Sequence, residues 1–559
     1  MKQDCCTKMR LHSIAYLVSG ILLAATLFYG PNAHAISSVN VPLDNWAYGA
    51  IEKLSGFGLI YSDIQGTRPF TRMEVARLVH EALQEQEKRQ EKTPSLVEYF
   101  FDKFKKEYRE ELEVWSVGRS IHERAYLKPI DEVQARYVYV DGKPREFKGY
   151  ETSGPKLDAT EGTPMVYNNE GVVYGENHNF SFQFSTVLGY KDFFSAYVQP
   201  IVLFSENRGN LDNVDDASID LLKGYGKLSL CNVDIQFGRD SMWWGRARHG
   251  EMILTNNAVP LDMVKVTNST PSLLPWYFSY LGPFKYTFFL SRLEDFTVNA
   301  LVEGQGRVLR QTEVGFGGVR LNFKPTPNIE IGMSNTFIFG GEGIPSLTIG
   351  DIFLLFGFQG ASSSQKANQL AALDFRFKLP FLRNAELYGE YAGEDSGGLE
   401  YWEELILGDV GYLVGIYFPR LTDDGRTDLR VEYANNSHRV DSTPGVWYGN
   451  AIFRSGYTHD RMIMGHHMDG DAEDLFVRVT RYLRNDLVVG LDYDFMQRGK
   501  SLNPVQEKVN QVGGDITFDV TRSLSVTGRY TFESVENYNL KSGVDRHNHL
   551  FMTALKYTF

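Results

Sequence analysis

From about Val133 to the end of the chain, apolar and polar residues alternate one by one. In "LRVEY", Leu429, Val431 and Tyr433 oppose Arg430 and Glu432, and in "DLVVGLDYDFM", Leu487, Val489, Leu491, Tyr493 and Phe495 oppose Asp492 and Asp494. In "LSVTGRYTFE", Leu524, Val526, Tyr530 and Phe532 oppose Ser525, Thr527, Arg529, Thr531 and Glu533. A period of two predicts strands with one apolar and one wet face. Charges on the wet face and aromatic residues on the other suit a wall between lipid and a hydrated lumen, whereas a soluble sandwich needs its apolar faces to meet. Beyond the first residues no apolar run approaches the length of a spanning helix, so a membrane crossing requires a closed barrel that leaves no backbone group unpaired in lipid. The predicted fold is an all-β transmembrane barrel over 131–559, large and antiparallel, with room for about 16–20 strands of roughly 10 residues each. Predicted outer loops are Lys143–Asn179, Glu206–Ser218, Gly340–Gln369 and Thr443–Asp474.

Upstream the period changes to that of a helix. "VPLDNWAYGAIEKLSGFGLI" places Trp46, Ile51, Leu54 and Phe57 on one face and closes at Gly56 and Gly58. In "RPFTRMEVARLVHEAL", Thr71 as N-cap and Glu74 form a capping box ahead of the stripe Val75, Leu78, Val79 and Leu83. "SLVEYFFDKFKKEYREELEVW" aligns Leu96, Phe100, Phe104 and Tyr108 among Lys and Glu, predicting an amphipathic helix docked against the barrel mouth. "WAYGAIEKL", "GLI" and "FTRMEVARLV" resemble one repeat of an S-layer-homology module, and the resemblance implies attachment to peptidoglycan or its attached polymer. The residues by themselves fit a helical adaptor on the periplasmic end of the barrel equally well. The expected division is a helical module at 36–92, an amphipathic helical linker at 93–130 and then the barrel.

The two ends change the picture. Lys2, Lys8 and Arg10 precede an apolar run from Ile14 to Phe28 and a turn ending Ala33-His34-Ala35, which predicts a secretory signal peptide cleaved after residue 35. Its removal leaves Cys231 as the one cysteine, excluding an intrachain disulfide. "HLFMTALKYTF" puts Phe551, Thr553, Leu555, Tyr557 and Phe559 on one face and resembles the closing strand of a bacterial outer-membrane barrel. The expected location is therefore the outer membrane, in contact with its lipids, with the N-terminal region in the periplasm. The 31 Tyr and 37 Phe supply the aromatic girdles such a barrel places at both interfaces. A formal net charge of -13 argues against nucleic acid as a partner.

The stretch "FGRDSMWWGRARHGEMILTNNAVPLD" ends a strand on a turn at Gly238. An indole face stacks on the C–H face of a pyranose, and Arg and Asn donate to hydroxyl and carboxylate oxygens. Arg239, Trp243, Trp244, Arg246, Asn256 and Asn257 are therefore the candidate polysaccharide contacts, or the scaffold that aims them. The competing reading makes Trp243 and Trp244 girdle or loop-packing aromatics, with Arg239 and Asp240 an internal pair. "GRDSMWWGRARHGEMILTNNAVPLDMVKV" and the later block "GYTHDRMIMGHHMDGDAEDLFVRVTRYL" resemble the Wzi capsule-assembly family in their Gly-Arg, Trp-Trp-Gly, Leu-x-Asn-Asn-Ala-x-Pro and Gly-His elements. That resemblance implies an outer-membrane barrel with a periplasmic helical portion, acting as a lectin that holds capsular or related exopolysaccharide at the surface. The S-layer-like module departs from the family pattern and leaves the periplasmic partner open.

The later block also clusters His459, Asp460, His466, His467, Asp469, Asp471, Glu473 and Asp474. Their spacing matches neither an EF-hand loop nor a His-Glu-x-x-His motif, so a hydrogen-bonded loop is expected and no metal or cofactor; a bound divalent cation is the competing reading. The carboxylate pairs Asp492/Asp494 and Glu394/Asp395 could serve glycoside chemistry, but the first is what any wet barrel face shows, and no nucleophile-elbow or Ser-His-Asp pattern accompanies them. The expectation is therefore a non-enzymatic surface lectin that anchors capsular or other exopolysaccharide. The alternative is a porin tethered to peptidoglycan through the S-layer-like module; a plugged lumen favours the lectin and an open one the porin.

Overall fold

The computed structural model describes residues 36–559 except 90, 118–124, 148–158, 207–216, 303–304, 342–343, 362, 364–365, 395–409, 438–446, 451, 454 and 502. The leader expected at 1–35, Asp395 and parts of the four expected loops lie outside the described residues.

An 18-strand antiparallel barrel closes on itself. Each strand pairs with the next in sequence, and the ring closes where Ala125–Val140 pairs with Arg546–Thr558, from Glu132 against Thr558 to Val140 against Leu550. The first strand begins at Ala125, earlier than alternation alone places it, because irregular pairing between Lys128 and Glu132 interrupts the period of two. Outward positions such as Phe182, Phe204, Leu491, Val512, Tyr530 and Leu555 are exposed, while Asp492, Asp494, Gln511 and Glu533 are buried inside the ring. This is the outward apolar band of a barrel that meets lipid. No helix among the described residues is long and apolar enough to cross a membrane.

Among the described residues, four helices precede the ring: α1 (Trp46–Gly56), α2 (Arg72–Arg89), α3 (Ser95–Glu107) and α4 (Arg109–Val117). Asn45 caps α1 by accepting from the Ala47 amide. Thr71 Oγ1 accepts from the Glu74 amide at 3.1 Å, but the Glu74 carboxylate turns to Arg77, so the expected capping box is half formed. The single amphipathic helix expected over 95–115 is two, since the chain breaks at Tyr108. The predicted stripes nonetheless meet: Ile51, Leu54, Val75, Leu78, Val79, Phe100, Phe104 and Tyr108 share one apolar core.

This helical unit enters the end of the barrel that carries the short turns and is held there by buried charge. Glu52 of α1 faces Arg246, Arg248 and Arg430 at 2.5, 3.1 and 3.1 Å, with Arg68 at 3.7 Å. Asp63 pairs with Lys324 at 2.7 Å and Arg376 at 2.9 Å, and Lys53 pairs with Asp428. Glu330 on the wall accepts from the amides of Gln65 and Gly66. Helix α3 reaches the rim, where Tyr99 and Lys103 both bond Asp519 and Phe100 packs edge-on against Tyr482.

Burial opposes the charge on Glu52, but the guanidiniums of Arg246, Arg248, Arg430 and Arg68 overcome it and hold its carboxyl well below the usual range; Arg376, Lys324 and Lys378 do the same for Asp63. A depressed folded-state value adds stability that is present above the ordinary carboxylate range and is lost only as pH falls through the depressed one. The helical unit is therefore expected to stay docked at pH 4. Limited proteolysis of 36–117 in the detergent-extracted protein at pH 7 and pH 4 checks this, and a segment protected at pH 7 but cut at pH 4 would contradict it.

Candidate functional site

The loop between strands Val233–Asp240 and Leu261–Asn268 carries the Trp pair, and it turns down into the lumen. Trp243 and Trp244 pair as a short strand with Thr67–Arg68 of the helical unit, with Trp244 opposite Thr67. The Trp244 amide donates to Leu254 O at 3.0 Å and the Gly245 amide to Gly66 O at 2.8 Å. Both indoles are buried, Trp244 completely, and Trp244 packs edge-on against Phe289 of the wall. The pair is thus a packed anchor rather than an open stacking platform.

The glycines of the motif have a backbone reason. Gly245 holds φ +128, and a Cβ there would lie 2.1 Å from the Glu251 carboxyl carbon. Burial, with Glu390 and Asp374 nearby, pushes the Glu251 carboxyl well above its usual range. Gly238 holds φ +124, and a Cβ there would lie 2.3 Å from Gly224 O. Gly245→Ala combines a disfavoured φ with a clash that must displace Glu251, so a loss of about 1–3 kcal/mol is expected. Thermal unfolding of the extracted protein measures it, and an unchanged midpoint would mean that the loop re-forms another way.

A second loop, between strands Thr427–Asn435 and Ala472–Arg484, folds inward to meet the first. Tyr448 Oη donates to Met252 O at 2.6 Å and accepts from the His466 amide at 2.9 Å, while Tyr457 Oη donates to Ile253 O at 2.9 Å. Met252, Ile253, Leu254, Trp447, Tyr448, Phe453, Tyr457 and Met464 form an apolar core inside the ring. The segment around 163–176 lies beside them: Asn168 Nδ2 donates to His249 O at 2.6 Å, and Lys223 on the wall pairs with Glu170 at 2.7 Å. The helical unit below and these loops above fill much of the lumen, and a cavity of about 560 Å³ stays open beside the helices, lined by Glu52, Tyr99 and Asp519.

Between segment 163–176 and the wall remains a cavity of about 420 Å³. Arg136, Arg248, Arg478 and Arg529 line it with Tyr167, Asn168, Asn256, Gln511, Asp492 and His249. Asn168 Oδ1 has no hydrogen-bond partner there. Guanidiniums, amides and a phenol ring around a hydrated hollow are donors, acceptors and an apolar face suited to sugar hydroxyls and carboxylates.

Of the candidate contacts read from sequence, Asn256 lines this cavity. Arg246 is buried between Glu52 and Glu386, and Asn257 bonds Ile463 O and the Asn168 amide. Arg239 faces outward and forms a two-pronged pair with Asp262 rather than with Asp240, whose carboxylate faces inward to Asn40 and Gln236. In the later cluster, His459 bonds Glu294 at 2.9 Å and Asp471 accepts from Ser501. His466 Nδ1 accepts from the Met468 amide and the Asp469 amide donates to His466 O, both within the loop. Asp460 lies exposed at a left-handed turn. His467 stacks on His466 at 4.6 Å and on Tyr167 at 4.1 Å, and approaches His249, Asp474 and Asp494. Asp492 and Asp494, though two apart on one face, have different neighbours: Arg478 and Arg529 hold the first and His249 the second. Tyr167, Arg136, Arg478 and Arg529 carry no local motif; the signal for the three arginines is a wet-face position in an alternating strand, and Tyr167, in a loop, has none.

The model of the family "Capsule assembly protein Wzi" matches residues 147–550. An uncharacterized 55.8 kDa protein in the cps region of Klebsiella pneumoniae is 28% identical over 197 residues, 33% of this chain and 35% of its own length. The chain thus spans about a third of that curated relative. The solved structure of Wzi from Escherichia coli, an outer-membrane protein described as involved in group 1 capsule assembly and as a carbohydrate-binding β-barrel, superposes with a TM-score of 0.65. It is 16% identical, the match covers 94% of this chain and 100% of that one, and at this identity the likeness is one of fold.

Proposed function

Because the chain belongs to the Wzi capsule assembly family, we propose that it is an outer-membrane surface lectin that binds and anchors capsular or other exopolysaccharide without covalent chemistry. One observation carries this reading: inward loops that build an apolar core inside the ring leave a polar, arginine- and amide-lined cavity beside them. A conducting porin needs a continuous wet path, and an apolar core of Trp, Tyr and Met side chains across the ring opposes it. The carbohydrate-binding description of the Escherichia coli relative supports the same choice.

The roles divide accordingly. Asn256 and the cavity groups Tyr167, Asn168 and Gln511 contact sugar, while Trp243, Trp244, Arg246 and Asn257 hold the loop that presents them. Each sugar unit binds weakly, and a repeating polymer engaging many barrels on one cell is retained by avidity. The helical unit faces the periplasm, since outer-membrane barrels turn their short connections that way.

The test is polysaccharide retention in a deletion strain complemented with wild type or with Asn168→Ala/Asn256→Ala, separating cell-bound from released polymer. Barrel assembly is checked by heat-modifiable migration. The assembled double variant is expected to shed polymer as the deletion does. Full retention in the deletion, with reduced uptake of small solutes, would replace the lectin with the porin.

A further inference from the structure

Four side chains from two inward loops and the wall converge beside the cavity, and several of their polar atoms have no hydrogen-bond partner. His249 comes from the first inward loop, His467 from the second, and Asp474 and Asp494 from adjacent wall strands. We propose that they form a binding site for one divalent transition-metal ion, zinc foremost, which clamps both loops to the barrel wall.

The geometry is that of a ligand set. One donor atom from each residue lies within 4.8 Å of every other. His249 Nε2 is 3.2 Å from Asp494 Oδ2 and 3.6 Å from Asp474 Oδ1, and His467 Nε2 is 3.4 Å from Asp474 Oδ2. A tetrahedron with metal–ligand bonds of about 2.0–2.1 Å has edges of about 3.3–3.4 Å. Three of the six separations lie near that edge, two of them through different oxygens of Asp474, and all lie within 4.8 Å, so an ion at the centre would draw the set together.

The atoms are also unspent. Both ring nitrogens of His467, His249 Nε2, Asp474 Oδ2 and both oxygens of Asp494 are buried without a hydrogen-bond partner. The side chains of His467, Asp474 and Asp494 are 1%, 2% and 4% exposed, so solvent does not satisfy them. Buried polar atoms in a folded protein are otherwise paired, and a concentration of exceptions in one spot calls for an occupant. Their neighbours fix the rings: His249 stacks on Phe476 at 4.0 Å and 5°, and His467 on Tyr167 at 4.1 Å and 17°.

The donor set selects the class of ion. Two imidazoles with two carboxylates suit zinc and its first-row neighbours, whereas calcium takes six to eight oxygens and magnesium keeps an oxygen octahedron. The doubly negative carboxylate pair matches a divalent charge. Because the two histidines sit on loops that make no strand pairing with the wall strands Ala472–Arg484 and Leu487–Arg498, an ion here would tie together what the ladder leaves separate. The site does not depend on what the cavity binds.

The experiment uses untagged, detergent-extracted protein, stripped with a chelator and dialysed against zinc, with metal content measured by mass spectrometry. One zinc per chain is expected, together with a higher melting temperature in zinc than in chelator and the visible bands of a tetrahedral ion on cobalt substitution. His467→Gln and Asp494→Asn, confirmed as assembled by heat-modifiable migration, are expected to lose the zinc and the zinc-dependent rise. Wild-type protein that retains no metal and melts identically in zinc and chelator overturns the proposal, whether or not the variants assemble. So does undiminished zinc in an assembled His249→Gln/Asp494→Asn protein, or a rise with calcium but not with zinc.

Discussion

Glu52→Ala is expected to free the helical unit from the barrel. The substitution leaves Arg246, Arg248 and Arg430 facing one another around a buried space, with Arg68 beside them. Removing one partner of a buried ion pair costs about 3–5 kcal/mol, because the charges left behind are neither hydrated nor matched. Here one carboxylate serves several guanidiniums; Glu386 still faces Arg246 and Glu432 faces Arg430 at 3.4 Å, while Arg248 and Arg68 rely on Glu52. The apolar core of the helices is their own, so the unit is expected to stay folded while its docking fails. Trypsin should then cut within 36–117 of the assembled barrel, and planar-bilayer recordings should show openings that wild type lacks. Unchanged protection and a silent bilayer would mean that Asp63 and Lys53 suffice to seat it.

Trp244→Ala carries the second large effect. The indole is fully buried, packs edge-on against the wall residue Phe289 and belongs to the apolar core that holds Met252, Ile253 and Leu254. Truncating a buried Trp costs about 3–5 kcal/mol, depending on how far the site collapses. The strand ladder does not pass through this residue, so heat-modifiable migration should be preserved while the first inward loop loosens. Cell-bound polysaccharide should fall even though the indole lies outside the cavity. The outcome separates two roles for the Trp pair: Trp244→Phe, which keeps an aromatic in the same pocket, should recover retention if packing matters, whereas a stacking contact with sugar would leave it poorly rescued. A fully retentive Trp244→Ala would remove the loop from the binding mechanism.

The ring was legible because a strand between lipid and water must alternate, and charges at 430, 432, 492 and 494 mark the wet face directly. The helices were legible from their stripes. Their place was not, since Glu52, Lys53 and Asp63 look like a solvated surface, and the partners that bury them lie far away in sequence. The inward loops were hidden for a related reason. Met252, Ile253, Leu254, Tyr448 and Phe453 follow no period, because they meet other loops rather than a neighbouring strand. Similarly, the Trp pair announced an apolar face but not its direction; that depends on pairing with Thr67–Arg68, which no local pattern encodes. His467 and Asp474 stood in view within one clustered block, but Asp494 belonged to the ordinary alternation of the wall and His249 to the distant loop of the Trp pair.

The buried pair between Glu52 and Arg430 joins residues 378 positions apart, and the one between Lys53 and Asp428 joins residues 375 apart. That separation sets an order of events. The helices are synthesised before any strand, but their seat is built from strands that follow much later, and the ring closes when its first strand meets its last. Contacts of such separation form late, after the chain between them is already organised. The plug must therefore wait beside an unfinished wall with its acidic side chains still hydrated, and its private apolar core is what lets it wait folded. Seating it ends the maturation of the barrel, and a plug that jammed early would stall closure.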